Sequence, residues 1–92
     1  MNSIRVRIPA ALRAQTNEQS EVELQANDVR GVIEALDSQF PGIGTRIRDD
    51  EGELRRFVNV YVNGEDVRFL EGLGTAIRQG DEVSIIPAVA GG

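Results

Sequence analysis

Cysteine, histidine, lysine and tryptophan are all missing from this 92-residue sequence. Each absence removes a chemistry. Without Cys or His there is no thiol nucleophile, persulfide, imidazole base or zinc site of the usual ligands, and without Lys there is no Schiff base. Disulfide staples are excluded as well, so cysteine usage says nothing about redox compartment. Aromatic residues are scarce, at 4%, and no apolar run approaches the roughly 20 residues that span a bilayer.

All ten basic residues are arginine, set against fifteen acids for a net charge of -5. That balance argues against nucleic acid as a partner. The first nine residues alternate charged and apolar side chains where a secretory signal would have a basic start and an apolar run, so neither export nor a membrane is expected and the cytoplasm is the expected location. Hydrophobic residues at 40% and charged residues at 27% are the proportions of an ordinary globular domain. The length allows one core and no deep catalytic cleft beside it, which points to action through a surface or a tail.

The pattern along the chain gives the elements. Ile4, Val6 and Ile8 alternate with Arg5 and Arg7 as a strand does, up to Pro9. After a polar segment, Val22 and Leu24 alternate with Glu21, Glu23 and Gln25 in a second strand. The period then changes. Val29, Val32, Ile33, Leu36 and Phe40 share one helical face, with Asp28 or Asn27 as the cap and Pro41-Gly42 as the stop. Gly31 inside this helix marks either a close approach to the sheet or simple tolerance.

Residues 43–53 read as a short helical turn and a loop. Residues 57–62 are the strongest strand, rich in β-branched and aromatic side chains, and Asn63-Gly64 turns it back so that Val67 and Phe69 fall on a short returning strand. A helical turn is expected over residues 73–78, a turn at Gly80-Asp81 and a last strand over 83–86. The expected class is α+β, with a mixed sheet of four to five strands packed on one main helix. A β-grasp topology fits this order, with the first and last strands parallel at the sheet centre. Pattern alone also permits half of a ferredoxin-like fold or a small open barrel. The domain is expected over residues 1–87 and a flexible tail over 88–92.

That tail, Ala88-Val89-Ala90-Gly91-Gly92, loses its side chains towards the end. Pro87 cannot donate a ladder hydrogen bond, so pairing should weaken there. Five residues fully extended reach roughly 17 Å, enough to enter another protein's active site, and glycine lets a backbone pass a narrow channel without side-chain clash. A terminal carboxylate is a poor electrophile until it attacks the α-phosphate of ATP and becomes an acyl adenylate. A sulfide donor can then displace AMP and leave a thiocarboxylate, so that sulfur is carried without cysteine. A terminal Gly-Gly alone would arise by chance in roughly one chain in two hundred; it gains weight from the strand before it and from the missing nucleophiles.

The stretch Val83-Ser84-Ile85-Ile86-Pro87-Ala88-Val89-Ala90-Gly91-Gly92 resembles the ending of the ThiS/MoaD family of ubiquitin-like sulfur carriers. Phe57-Val58-Asn59-Val60-Tyr61-Val62-Asn63 followed by Glu65-Asp66-Val67-Arg68-Phe69 resembles, over nearly the whole chain, the CysO-type carriers of bacterial cysteine biosynthesis. The resemblance implies a ubiquitin-like β-grasp fold and a protein co-substrate, not an enzyme. It implies Gly92 as the site of adenylate and thiocarboxylate formation, and Ala88, Val89, Ala90 and Gly91 as the part that enters partner active sites. No bound cofactor or metal is implied, only ATP used by the activating enzyme.

The implied partners are a MoeB/ThiF-type E1-like enzyme, a sulfurtransferase and an acceptor such as a PLP-dependent cysteine synthase, with a metalloprotease releasing the product. Pro87-Ala88 stands where the small subunit of molybdopterin synthase more often has Pro-Pro. That subunit, and a ubiquitin-like modifier conjugated through Gly92, are the alternative functions.

Two surfaces accompany the tail. If Val58, Val60 and Val62 face the helix, then Phe57, Asn59 and Tyr61 face away, and with Ile86 the aromatic residues form a docking patch for the activating enzyme. Arg46, Arg48, Arg55 and Arg56 offer guanidinium groups to phosphate or an acidic partner. The interleaved Asp49, Asp50, Glu51 and Glu53 favour a solvated loop of mixed charge, and they are not expected to hold magnesium.

Overall fold

The computed structural model describes residues 2–87. The expected domain boundary at 87/88 and the five tail residues therefore fall at or outside the described residues. Five strands form one sheet: β1 (Asn2–Arg7), β2 (Glu21–Ala26), β3 (Val58–Val62), β4 (Glu65–Asp66) and β5 (Glu82–Pro87). Their order is β2-β1-β5-β3-β4. β1 and β5 are parallel, with Val6 beside Val83, and the other pairs are antiparallel. This is the ubiquitin-like β-grasp arrangement, with the first and last strands together at the centre.

The alternation of side chains sets what each strand buries. Ile4 and Val6, Val22 and Leu24, Val58, Val60 and Val62, and Val83 and Ile85 all point into one core. Helix α1 (Val29–Gln39) covers that face with Val29, Val32, Ile33 and Leu36. Asp28 is its cap: the backbone N–H of Gly31 donates to Asp28 Oδ1 at 2.7 Å, an interaction worth about 1 kcal/mol. A side chain at Gly31 would bring a Cβ within 3.5 Å of Ala26 Cβ and 3.2 Å of Asp28 Oδ1, so the glycine serves a close approach of helix, cap and sheet. Helix α2 (Ile43–Ile47) follows at once, buried through Ile43 and Ile47. Asp37 ties the two helices by accepting from the N–H groups of Gly42 and Gly44 at 3.1 and 2.8 Å.

Three segments differ from the sequence expectation. The polar connection between β1 and β2 contains a 3-10 helix over Ala10–Thr16, anchored by buried Leu12 and Thr16. The Thr16 hydroxyl donates towards the carbonyl oxygens of Gln19, at 2.9 Å, and Arg13, at 3.3 Å. The strand returning from Asn63-Gly64 is only Glu65–Asp66. Val67 and Phe69 instead lie in a 3-10 turn, because Asp66 accepts from the N–H of Arg68 at 2.8 Å and bends the chain out of the ladder. Residues 73–78 are likewise not one helical turn. A 3-10 turn covers Gly72–Gly74, and Ala76 then bridges to Asp28 while the N–H of Ile77 donates to Asn27 O. The Asn63-Gly64 turn has positive φ at both residues, 51° and 88°, the geometry that suits a two-residue hairpin.

Candidate functional site

β5 is paired with β1 as far as Ser84 and with β3 as far as Pro87, and it is the last strand among the described residues. Its partner β3 runs the other way, pairing Val62 with Val83, Val60 with Ile85 and Val58 with Pro87. The N–H of Asn63 donates to Glu82 O at 2.8 Å. Alternation from that bond puts Asn59 opposite Ile86 in a hydrogen-bonded pair and Val58 opposite Pro87 in a non-bonded one. The missing N–H of Pro87 thus leaves no gap in the ladder with β3, and the N–H of Val58 is satisfied by Arg55 O at 3.0 Å. The strand keeps its register with β3 as far as Pro87, while its pairing with β1 ends at Ser84.

The open face of the sheet carries what the core face does not. Ile86 is 49% exposed and lies diagonally from Tyr61, which is part-buried opposite Ser84. Arg68, from the turn after β4, reaches over this face. Its guanidinium donates to Asn59 Oδ1 at 2.7 Å and to Arg55 O at 3.0 Å, beside Ile86 through the Asn59 pairing. On the other flank Arg7 lies next to Ser84 and within 3.8 Å of Glu82.

Phe57 precedes β3, is 51% exposed, and lines a groove of about 460 Å³ at the end of the sheet with Pro87, Arg46, Asp49, Arg55 and Arg56. Of the three expected docking residues, Tyr61 and Ile86 share the open face, and Phe57 stands in the turn before β3 and lines the groove with Pro87. The tail positions Ala88, Val89, Ala90, Gly91 and Gly92 lie outside the described residues.

The groove was only half legible in the sequence. Arg55 and Arg56 stand just before β3, and Pro87 is opposite Val58, so the β3–β5 register alone brings them together. Arg46 comes from α2, which no strand pattern places. It arrives because the N–H of Arg55 donates to Ile47 O at 2.9 Å and its Nε to Thr45 O at 2.7 Å, lashing the entry of β3 to α2. Arg48 goes elsewhere, within 3.9 Å of Glu34 on α1. Arg68 had no sequence signal at all, since its partners are 9 and 13 residues away on a turn that pattern had read as strand.

Among the described residues no group of three or more acids is placed to hold a metal ion, and no helix is long and apolar enough to cross a membrane. The site is a presenting strand, a part-apolar face and an arginine-lined groove.

Comparison with known proteins gives the family and the fold. The ThiS family model matches residues 6–92. Sulfur carrier protein CysO of Mycobacterium tuberculosis is 48% identical over 92 residues, covering 98% of this chain and 99% of its own. Its crystal structure superposes with a TM-score of 0.89 at 46% identity, over 94% of this chain and 99% of that one. The Amycolatopsis orientalis BexX/CysO complex contains a chain that matches with a TM-score of 0.91 and 44% identity, covering 97% of this chain and 99% of that one. Small archaeal modifier protein 3 of Haloferax volcanii is 42% identical over 64 residues, 70% of this chain and 68% of its own.

Proposed function

The chain belongs to the ThiS family, and from that premise we propose that it is a cytoplasmic sulfur carrier, acted on by enzymes and not itself one, that works through Gly92. The observation that carries this reading is the placement of Pro87. A central strand, paired with β1 as far as Ser84 and with β3 as far as Pro87, holds its register to a residue five positions before Gly92. The chain beyond Pro87 therefore starts from a fixed point at the end of the sheet.

The chemistry belongs to that terminus. The Gly92 carboxylate attacks the α-phosphate of ATP in a MoeB/ThiF-type enzyme, pyrophosphate leaves, and an acyl adenylate remains. Sulfide displaces AMP and leaves the thiocarboxylate directly; where a sulfurtransferase persulfide is the nucleophile, an acyl disulfide forms and a second thiol cleaves it to the thiocarboxylate, leaving a disulfide. The fold supplies no catalytic group to either step; it supplies position and a docking surface. Tyr61 and Ile86, with Phe57 in the turn before β3, are the apolar contacts we assign to the activating enzyme, and the small side chains of Ala88, Val89, Ala90 and Gly91 suit a channel to its nucleotide. The similarity to CysO favours cysteine synthesis by a PLP-dependent synthase as the destination, with a metalloprotease releasing the product. A relative seen in complex with BexX supports a carrier that docks on a second protein.

One other reading has an observation behind it. The likeness to a small archaeal modifier protein favours attachment of Gly92 to other proteins, which begins with the same adenylate. Ile86→Asp tests the docking assignment common to both. In ATP–pyrophosphate exchange with an E1-like enzyme, the KM for this protein should rise about tenfold or more, as for an anchor at the centre of an interface, with an unchanged melting curve. An unaltered KM would remove the open face from the account.

A further inference from the structure

Three arginines, Arg46, Arg55 and Arg56, line the groove beside Pro87 on a protein whose net charge is -5. The ion pairs among the described residues use Arg5, Arg7 and Arg48 and leave Arg46, Arg55 and Arg56 out. All three of these are exposed. The one carboxylate in the groove, Asp49, is turned to its own loop, where Oδ1 accepts the N–H groups of Glu51 at 2.9 Å and Glu53 at 3.0 Å. With a Debye length of about 8 Å at physiological ionic strength, an approaching group at contact range feels the local cluster more than the distant net charge. An acidic protein therefore carries a small basic island, and it adjoins Pro87, from which the tail departs.

We propose that this groove receives an acidic peptide segment, its Asp and Glu carboxylates, on the rim of the active site that takes up the tail. The proposal rests on the carrier reading and adds the docking chemistry to it. An enzyme that draws Gly92 into its active site brings the rim of that site against the root of the tail, and the root is Pro87. Guanidinium forks match carboxylates in pairs of parallel hydrogen bonds. Two backbone N–H groups at the groove that a phosphate could use are already taken, that of Arg55 by Ile47 O and that of Val58 by Arg55 O. Phe57 and Pro87 supply an apolar floor for the methylene stems of the acidic side chains. The groove thus selects by charge, and the open face of the sheet supplies contact area.

The test compares two double variants of equal formal charge, each four units more negative than the parent value of -5. Arg46→Glu with Arg56→Glu reverses the groove. Arg30→Glu with Arg78→Glu makes the same change on α1 and after the Gly72–Gly74 turn. None of these four side chains joins a hydrogen bond or ion pair among the described residues, so melting curves should show all variants folded. Adenylation is followed with a MoeB/ThiF-type enzyme at low and high salt.

The groove variant should raise the KM for this protein about tenfold or more at low salt, with the loss in KM and not in kcat, and high salt should narrow the gap. The distant pair should change KM by less than about threefold. Equal effects from the two doubles would reduce the groove to net charge and overturn the proposal, as would no effect from either. Competition by inorganic phosphate as strong as that by a Glu-rich peptide would overturn the choice of carboxylate. A parent protein that is adenylated normally while the doubles behave alike defeats only the groove; a parent that is never adenylated defeats the carrier reading and the groove together.

Discussion

A chain ending at Ala90 is expected to fold as the full protein does and to accept no sulfur. Every buried apolar side chain among the described residues lies between Ile4 and Ile85, and Gly91 and Gly92 have no side chain to lose. The thermal midpoint should move by no more than about 3 °C, the scale of a change outside the packed interior. Adenylation should nevertheless fall to background. The truncated chain still has a carboxylate, but it is two residues short of the nucleotide and carries a methyl group where a glycine had none. An in-line attack needs the reacting oxygen within about 3–3.5 Å of phosphorus, and misplacement by a single ångström already costs on the order of a hundredfold. Circular dichroism melts and AMP release measured on the two proteins side by side check both halves. Sulfur loading by the shortened chain would place the chemistry away from Gly92.

Leu36→Ala should have the largest effect on the fold. Leu36 lies in the third turn of α1, is fully buried, and belongs to the single core that α1 shares with the sheet. Truncation removes its transfer free energy and leaves a cavity that close-packed neighbours cannot fill, for a loss of about 3 kcal/mol within a usual range of about 2–5. A domain of this size has on the order of 5–10 kcal/mol in all. The midpoint should therefore drop by about 10–25 °C. Two positions earlier, Glu34 is exposed and only 3.9 Å from Arg48 in a partly solvated pair, so Glu34→Ala should cost no more than about 1 kcal/mol. Urea unfolding checks the contrast: the midpoint should shift strongly for Leu36→Ala with little change in slope. A loss below about 1 kcal/mol would mean that α1 is not the main cover of the sheet.

The two periods in the sequence account for how much of the fold could be read from it. Val29, Val32, Ile33, Leu36 and Phe40 were placed together by the helical repeat, and Val58, Val60 and Val62 by the strand repeat. All of them are buried, because burial is what the repeats encode. Asn63-Gly64 fixed its hairpin through its backbone preference for positive φ. What escaped was decided by single hydrogen bonds. Asp66 turned Val67 and Phe69 out of a strand by accepting one N–H, and apolar composition carries no trace of that. Thr16 similarly anchors a 3-10 helix in a segment that looked like polar loop.

The candidate site divides along the same line. The placement of Ile86 and Tyr61 on the open face followed from alternation. Phe57 stands in the turn before β3 begins, where strand alternation no longer sets the direction of a side chain. The groove needed tertiary information, namely the bond from Arg55 Nε to Thr45 O that brings α2 to the end of β3. Four arginines close in sequence were expected to act as one mixed-charge loop. The fold separates Arg48 to the side of α1 and leaves Arg46, Arg55 and Arg56 at the root of the tail.

The most direct test of the central claim is the intact mass of the full-length protein after incubation with ATP, a sulfide source and an E1-like activating enzyme. The account predicts a mass gain equal to exchange of one oxygen for sulfur, located by fragmentation at Gly92 and abolished when ATP is omitted. A protein that forms the adenylate yet returns at its original mass, or that takes up sulfur anywhere other than Gly92, would contradict it.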